Sequence, residues 1–375
     1  MNSLNQLKQN IVVVGAGITG AFIGFHLSKL GFNCSIVDPE TDDSRASYNN
    51  PGGINPLHGP GIPGEMSAFS MNCYDAHLEV WDEINHLAEI EFNGRINTRL
   101  FVAFSEDEAE QLKQMKLLYD NVNGFSATWL DQQSIREFDS RVSVDVVGGL
   151  LTTGNATVNS EKYNRAVLSA AYKLGSKRVV GKVSAVHHDG NNISHVRLDN
   201  GHKIACDVLV IATGPWMEKI NNILKLSIPV RPVRGELLLI HPSTQKTKHD
   251  VTWNHYGIYY RGDDYLWVGG TFDDVAYNCR ATASGRDAML AKAKYIIPEL
   301  TDPLIVKHIA GLRPMTPDGL PVFGKIPGWS NAYIATGGGG KGLLLSAGFG
   351  KYLAKLISTD SERYDFQFLS SGRFK

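Results

Sequence analysis

Six residues, Gly15-Ala16-Gly17-Ile18-Thr19-Gly20, follow four apolar ones at 11–14, and Gly24 and Asp38 come after them at intervals that a bound dinucleotide would impose. Glycine at position 15 permits a tight turn, glycine at 17 lets main-chain N–H groups approach a pyrophosphate, and glycine at 20 lets a helix lie close on the preceding strand. The helix N-terminus then faces the anion with its unsatisfied N–H groups and its dipole. After Phe22, Phe25 and Leu30 on that helix, a second apolar strand at 35–37 delivers Asp38 to where a carboxylate accepts from ribose hydroxyls. A glycine fingerprint alone is a weak signal, because glycine-rich strand-to-helix turns are common. Here strand, glycines, helix and terminal acid all occur in order, which points to a site for FAD or NAD.

Two later stretches have the same character. Residues 207–212 read as a buried strand ending in Ala212-Thr213-Gly214, whose small side chains suit close approach of the backbone to something flat or anionic. A third begins at Gly311-Leu312-Arg313-Pro314, passes Thr316-Pro317-Asp318-Gly319 and a short strand at 333–335, and ends in Gly337-Gly338-Gly339-Gly340-Lys341-Gly342. The glycine run resembles a P-loop, but position 335 is Ala and position 342 is Gly, so the Walker spacing fails and ATP is disfavoured. The helix after it carries Leu345, Phe349, Tyr352 and Leu356 at spacings of four, three and four, an inward apolar stripe. Cofactor-type elements near residues 15, 210 and 340 require a dinucleotide domain assembled from separated segments.

Between them lie the elements of a second unit. Residues 65–88 have helical character, 100–104 read as a strand, 106–119 as a helix, 149–152 as a strand and 160–174 as a helix. Residues 179–204 alternate around Asp189-Gly190 and Asn200-Gly201, a meander on tight hairpins. Strands at 236–240, 257–261 and 265–269 make an antiparallel, substrate-covering sheet. Residues 49–64, with Pro51, Pro56, Pro60 and Pro63 among five glycines, form an irregular loop expected over the cofactor. The expected division is 1–88, 145–225 and 305–375 for the dinucleotide domain, and 89–144 with 226–304 for the inserted substrate domain.

Composition bounds the rest. A chain of 375 residues, 43% hydrophobic and 20% charged, is long enough for two domains and a sizeable core. Lys plus Arg number 37 against 38 for Asp plus Glu, so no overall charge favours nucleic acid or an anionic membrane. Four cysteines without Cys-x-x-Cys spacing indicate a reducing cytoplasm, and no metal site is expected. Residues 1–10 are polar, and the apolar stretch that follows is broken by glycines, which fits neither a signal peptide nor a membrane span.

Taken together, the motifs resemble the FAD-dependent amino acid and amine oxidoreductases, the group of D-amino acid oxidase, glycine oxidase and sarcosine oxidase. The resemblance spans nearly the whole chain and is carried by Val14 to Gly20 with Gly24 and Asp38, by Ala212-Thr213-Gly214-Pro215-Trp216, by Gly311 to Gly319, and by Ala335-Thr336-Gly337 with its glycine turn. It implies an α/β fold in which a discontinuous, Rossmann-like FAD-binding domain holds an inserted α+β substrate domain with an antiparallel sheet. It implies FAD contacts at Gly15, Ala16, Gly17, Ile18, Thr19, Gly20, Asp38, Ser47, Gly53, Val183, Thr213, Gly214, Trp216, Gly338, Gly339, Gly340, Lys341 and Gly342.

The same resemblance gives Arg313 the substrate carboxylate, which its planar fork suits bidentately. A tyrosine on a substrate-domain strand assists it. Tyr259 is the first candidate, with Tyr256 and His255 behind it, since alternation puts Tyr259 and Tyr260 on opposite faces. Lys341, at the mouth of the glycine turn, would favour reduced, anionic flavin. Just before Met315-Thr316-Pro317-Asp318, where monomeric sarcosine oxidases link flavin to a cysteine, this sequence has Gly311-Leu312-Arg313-Pro314, so FAD is expected to be noncovalent, and Trp267 stands where those enzymes carry an oxygen-activating lysine. The implied reaction is oxidation of the C–N bond of a small or N-methylated amino acid by hydride transfer to flavin N5, with O2 or another electron acceptor. The assembly is left open between a homo-oligomer and a complex with a partner subunit. The alternatives are a tRNA-modifying flavoprotein, a flavin subunit of an amine dehydrogenase, and NAD in place of FAD.

Overall fold

In a computed structural model of the chain, the described residues are 9–39, 44–242, 248–261, 264–359 and 365–374. The leading polar segment 1–8 lies outside them. Two large sheets and a small one organise the rest.

The first sheet has six strands in the order Val322–Lys325, Ala332–Thr336, Val208–Ile211, Asn10–Val14, Asn33–Asp38 and Lys177–Val180. All neighbours are parallel except the first pair. Its central strand shows why residues 11–14 are apolar without alternation. Ile11 and Val13 enter a core beneath the helices, whereas Val12 and Val14 enter a second core on the opposite face. Burial on both faces turns a period-two pattern into a continuous run. Helices Ile18–Lys29, Ser67–Ala88, Ser160–Lys173 and Gly342–Thr359 cover the first face. Leu345, Phe349 and Leu356 of the last of these are buried there as expected, with Tyr352 packed against the same cluster. The small sheet, Val183–Asp189, Asn192–Leu198 and Lys203–Ala205, covers the other face together with Met217–Leu224.

The second large sheet is the expected antiparallel one except where Asp250–Trp253 pairs Arg95–Ala103 in parallel, and it is bigger than its sequence signals. It runs Leu304–Met315, Arg231–His241, Leu266–Gly269, Tyr256–Tyr260, Asp250–Trp253, Arg95–Ala103, Gly148–Thr157 and Gly53–Ile54, with Ser126–Leu130 pairing Gly148–Thr157 off this path. Gly148–Thr157 and Leu304–Met315 come from stretches assigned by sequence to the dinucleotide domain, but their hydrogen bonds place them in this sheet. A strand's apolar pattern says which face is buried and nothing about which sheet it joins. Helix Ala283–Ile296 packs on the far face through Met289, Ala293 and Ile296. All four cysteines are free. No described helix is long and apolar enough to cross a membrane.

Candidate active site

Strand Asn10–Val14 turns at Gly15, whose φ of 112° lies in the left-handed region, and enters helix Ile18–Lys29 at Gly17. A Cβ on Gly20 would stand 1.9 Å from the Gly15 carbonyl oxygen, and one on Gly15 would stand 2.3 Å from that of Ala212. The turn is therefore squeezed between its own helix and strand Val208–Ile211. No side chain caps the helix at Gly17, and no acid occupies its first turn, so its N-terminal donors suit an anion. Ser47 Oγ accepts the Ile18 N–H at 2.9 Å. Asp38, at the end of the next strand, accepts the Ala16 N–H at 2.8 Å and pairs with Arg45 at 2.6 Å.

From this turn a cavity of about 880 Å³ extends to the antiparallel sheet. Every residue that the sequence assigned to cofactor or substrate borders it except Ala16, Gly20 and Tyr256. Ala16 and Gly20 sit behind the wall and act through packing. Tyr256 is a correction. It shares a strand face with Ile258 and Tyr260, and packs against the far core beside Lys292 of the covering helix. The same alternation aims Tyr259 into the cavity, where its hydroxyl has no hydrogen-bond partner among the described residues. Trp267, opposite Tyr259 in the ladder, does not border the cavity.

Arg313 lies near the end of Leu304–Met315, facing Val233. Its guanidinium donates to the Thr271 carbonyl at 2.9 Å and stacks on Phe272, 4.1 Å from the ring centroid. No described carboxylate lies within ion-pair distance of it, and burial lowers its pKa to about 10. The guanidinium passes over Gly235 of the neighbouring strand, where a Cβ would stand 2.1 Å from both terminal nitrogens. His255 borders the same region with its pKa lowered, first by burial and then by Lys292 and Arg313.

Beyond Tyr259 on the same sheet, Arg99 and Arg261 share the fully buried Asp250, at 3.0 and 2.8 Å. Lys341 follows the glycine turn as expected; its ammonium donates to the Asn55 carbonyl at 3.1 Å, and burial, then Arg99, lowers its pKa to about 7. Arg99, His58 and Gly235 carried no signal in the sequence, because each acquires meaning only through pairing between distant strands and loops.

The loop after Asp38 ties the two regions together. Arg45 bridges Leu312, the Leu312 N–H donates to the Ser44 carbonyl at 2.9 Å, and Asn49 donates to the Ala310 carbonyl at 2.9 Å.

A parallel sheet ending in a glycine turn, a helix N-terminus and the acid Asp38, joined through one cavity to a largely antiparallel sheet bearing buried cations, is the arrangement of a dinucleotide-dependent oxidoreductase. Residues 10–356 match the family described as FAD dependent oxidoreductase, and the chain belongs to that family. It is similar to glycine oxidase of Geobacillus kaustophilus, with 24% identity over 98% of this chain and 97% of the relative. It is also similar to D-amino acid dehydrogenase of Vibrio atlanticus, with 25% identity over 97% of this chain and 99% of the relative. The crystal structure of the Geobacillus glycine oxidase superposes with a TM-score of 0.89, covering 97% of this chain and 98% of that one at 23% identity. The fold expected from sequence, and FAD rather than NAD as the cofactor, thus hold.

The residues present fit FAD. The uncapped helix and glycine turn suit the pyrophosphate, Asp38 the ribose, and the small residues at Thr213, Gly214 and Gly338 to Gly340 leave room for a flat ring.

Proposed function

We propose that the chain oxidises the C–N bond of a small or N-methylated amino acid. When bound, FAD supplies the hydride acceptor at its N5 for the Cα hydrogen; the resulting substrate imine takes up water and releases a 2-oxo acid and an amine. Arg313 fixes the substrate carboxylate bidentately, and its lack of any protein carboxylate is the observation that carries the reading: a half-buried, largely desolvated guanidinium without an ionic partner is costly unless a ligand completes it. The Tyr259 hydroxyl adds a second donor to that carboxylate, holding the Cα–H bond in one orientation. Asp38, the one acid bordering the cavity among the described residues, is engaged with Arg45, so the substrate amine arrives neutral and needs no base. Lys341 and the start of helix Gly342–Thr359 place positive charge where electron density collects. Among the described residues no cysteine borders the cavity, which agrees with noncovalent FAD.

The test is anaerobic stopped-flow mixing of the holoenzyme with glycine, sarcosine, proline and D-alanine, followed by the absorbance of oxidised flavin. Bleaching by at least one is expected, and the same panel in air identifies oxygen or another acceptor as the oxidant. Should none of them bleach the flavin, the substrate assignment is wrong.

Gly235 gives a second check. In Gly235→Ala the methyl group displaces the tip of Arg313, which is flexible, and leaves the ladder partner Gly311 in place. A guanidinium misplaced by about 1 Å is expected to cost about 10²-fold in kcat/KM. Flavin content and Tm should stay close to those of the unmodified protein. Unchanged steady-state kinetics would show that Arg313 does not need its present position.

A further inference from the structure

We propose that the cleft is built for an amino acid carrying a second carboxylate, whose distal acid group is received by Arg99 with His58 and Lys341 while Arg313 holds the first. The inference rests on the reading of Arg313 given above and extends it to the substrate's other end.

The argument starts from charge. Asp38 is the sole acid among the described residues bordering the cavity, and Arg45 already pairs with it. Arg313 accounts for one incoming carboxylate. Further along the same sheet, Asp250 is divided between Arg99, which borders the cavity, and Arg261 behind it, so those three side chains retain one positive charge. Tyr259 lies within reach of both ends: burial raises its pKa, and the charges of Arg99 and Arg313 oppose that rise without cancelling it.

The hydrogen-bond inventory points the same way. Arg99 is only 7% exposed, borders the cavity, and has its Nε buried without a partner; the Nδ1 of half-buried His58, which also borders the cavity, is likewise buried without one. Arg99 and His58 both pack on the Phe101 ring, at 5.8 Å from its centroid, and border the same cavity as Lys341, whose charge helps lower the pKa of His58 and whose own pKa Arg99 helps lower. The Lys341 ammonium has a carbonyl partner, Asn55, and no carboxylate. Buried polar groups in folded proteins are ordinarily paired, and two orphaned nitrogens beside an ammonium in one wall form an incomplete anion site. A carboxylate supplies the missing acceptor and keeps Lys341 protonated. The class of substrate is therefore a dicarboxylic amino acid, or an amino acid bearing an N-carboxyalkyl group.

Two readouts on the FAD-loaded protein test this. In the first, unreactive acids are titrated and the shift of the flavin absorption spectrum is followed. Malonate and succinate are expected to bind at least tenfold more tightly than acetate and propionate, and Arg99→Gln or, separately, Lys341→Met is expected to remove that difference. In the second, anaerobic reduction by iminodiacetate is compared with glycine, and by D-aspartate and D-glutamate with D-alanine; the diacids are expected to lead by at least tenfold. Equal binding of mono- and diacids by the unmodified protein would overturn the proposal. So would variants that weaken both classes by the same factor, the result expected if Arg99 and Lys341 serve only the flavin. If no amine of either series reduces the flavin, the oxidation reading fails, and the second acid site is then decided by the titration alone.

Discussion

Replacing Arg313 by methionine is expected to lower kcat/KM for the amino acid substrate by about 10²–10⁴-fold, with flavin still bound. Two charge-assisted hydrogen bonds to a carboxylate contribute about 1.5–3 kcal/mol each, and each 1.4 kcal/mol is tenfold. Arg313→Lys should fall at the lower end of that range. Lysine keeps the charge but offers one compact donor in place of a planar fork, and loses the flat stacking on Phe272. The fold should tolerate either change, because the guanidinium has a single hydrogen bond to the protein, at Thr271. Steady-state kinetics with the best substrate of the panel, alongside the flavin-to-protein ratio, reads the result. A kcat/KM within a few-fold of the unmodified enzyme would remove Arg313 from the site.

The second large effect is expected at Gly20. In Gly20→Ala the new methyl carbon would stand 1.9 Å from the Gly15 carbonyl oxygen, a backbone atom that cannot swing aside. The helix must back away from the strand it follows, moving the N–H groups that face the pyrophosphate. Overpacking of this kind costs about 1–3 kcal/mol of stability. The loss of cofactor should be greater than the loss of fold, because the displaced atoms are those that hold it. The variant is expected to purify colourless or nearly so, with FAD affinity reduced by at least about 10²-fold, a loss of about 2.7 kcal/mol. Fluorescence titration of the apoprotein with FAD measures this directly, and wild-type affinity would show that the close approach at this turn is dispensable.

What the sequence reveals and what it conceals divide along a physical line. The phosphate turn, its flanking strand and Asp38 are local: their residue types are dictated by neighbours a few positions away, so they could be read directly. The strand Val208–Ile211 and the stripe on the closing helix were legible for the same reason, the first by a run buried on both faces and the second by its period. The family resemblance suggested a tyrosine on this strand and alternation set Tyr259 and Tyr260 on opposite faces; the same alternation turns Tyr256 away once Tyr259 faces the cavity. The strand Leu304–Met315 was harder to find. Lys307 and His308 interrupt its apolar pattern, and Pro314 is tolerated because the strand lies at the sheet edge. Strand Asp250–Trp253 is only four residues long, yet it carries the acid that orders Arg99 and Arg261. Gly235 reads as an ordinary strand glycine until the partner strand lays Arg313 across it. Such residues depend on register between segments many positions apart, and one sequence holds no local record of that.

The loop that follows Asp38 also sets a measurement within the molecule. Its Arg45 pairs with Asp38, its Ser47 accepts the Ile18 N–H at the start of the first helix, and its backbone is stitched to the strand that presents Arg313. The gap between the nucleotide's seat and the substrate's anchor is thus gauged by a short ruler of main chain, rather than by how two separate sheets happen to tilt. On the function proposed above, adding one residue between Ser44 and Asn49 would shift the substrate's anchor relative to the flavin without touching a single side chain proposed to bind either one.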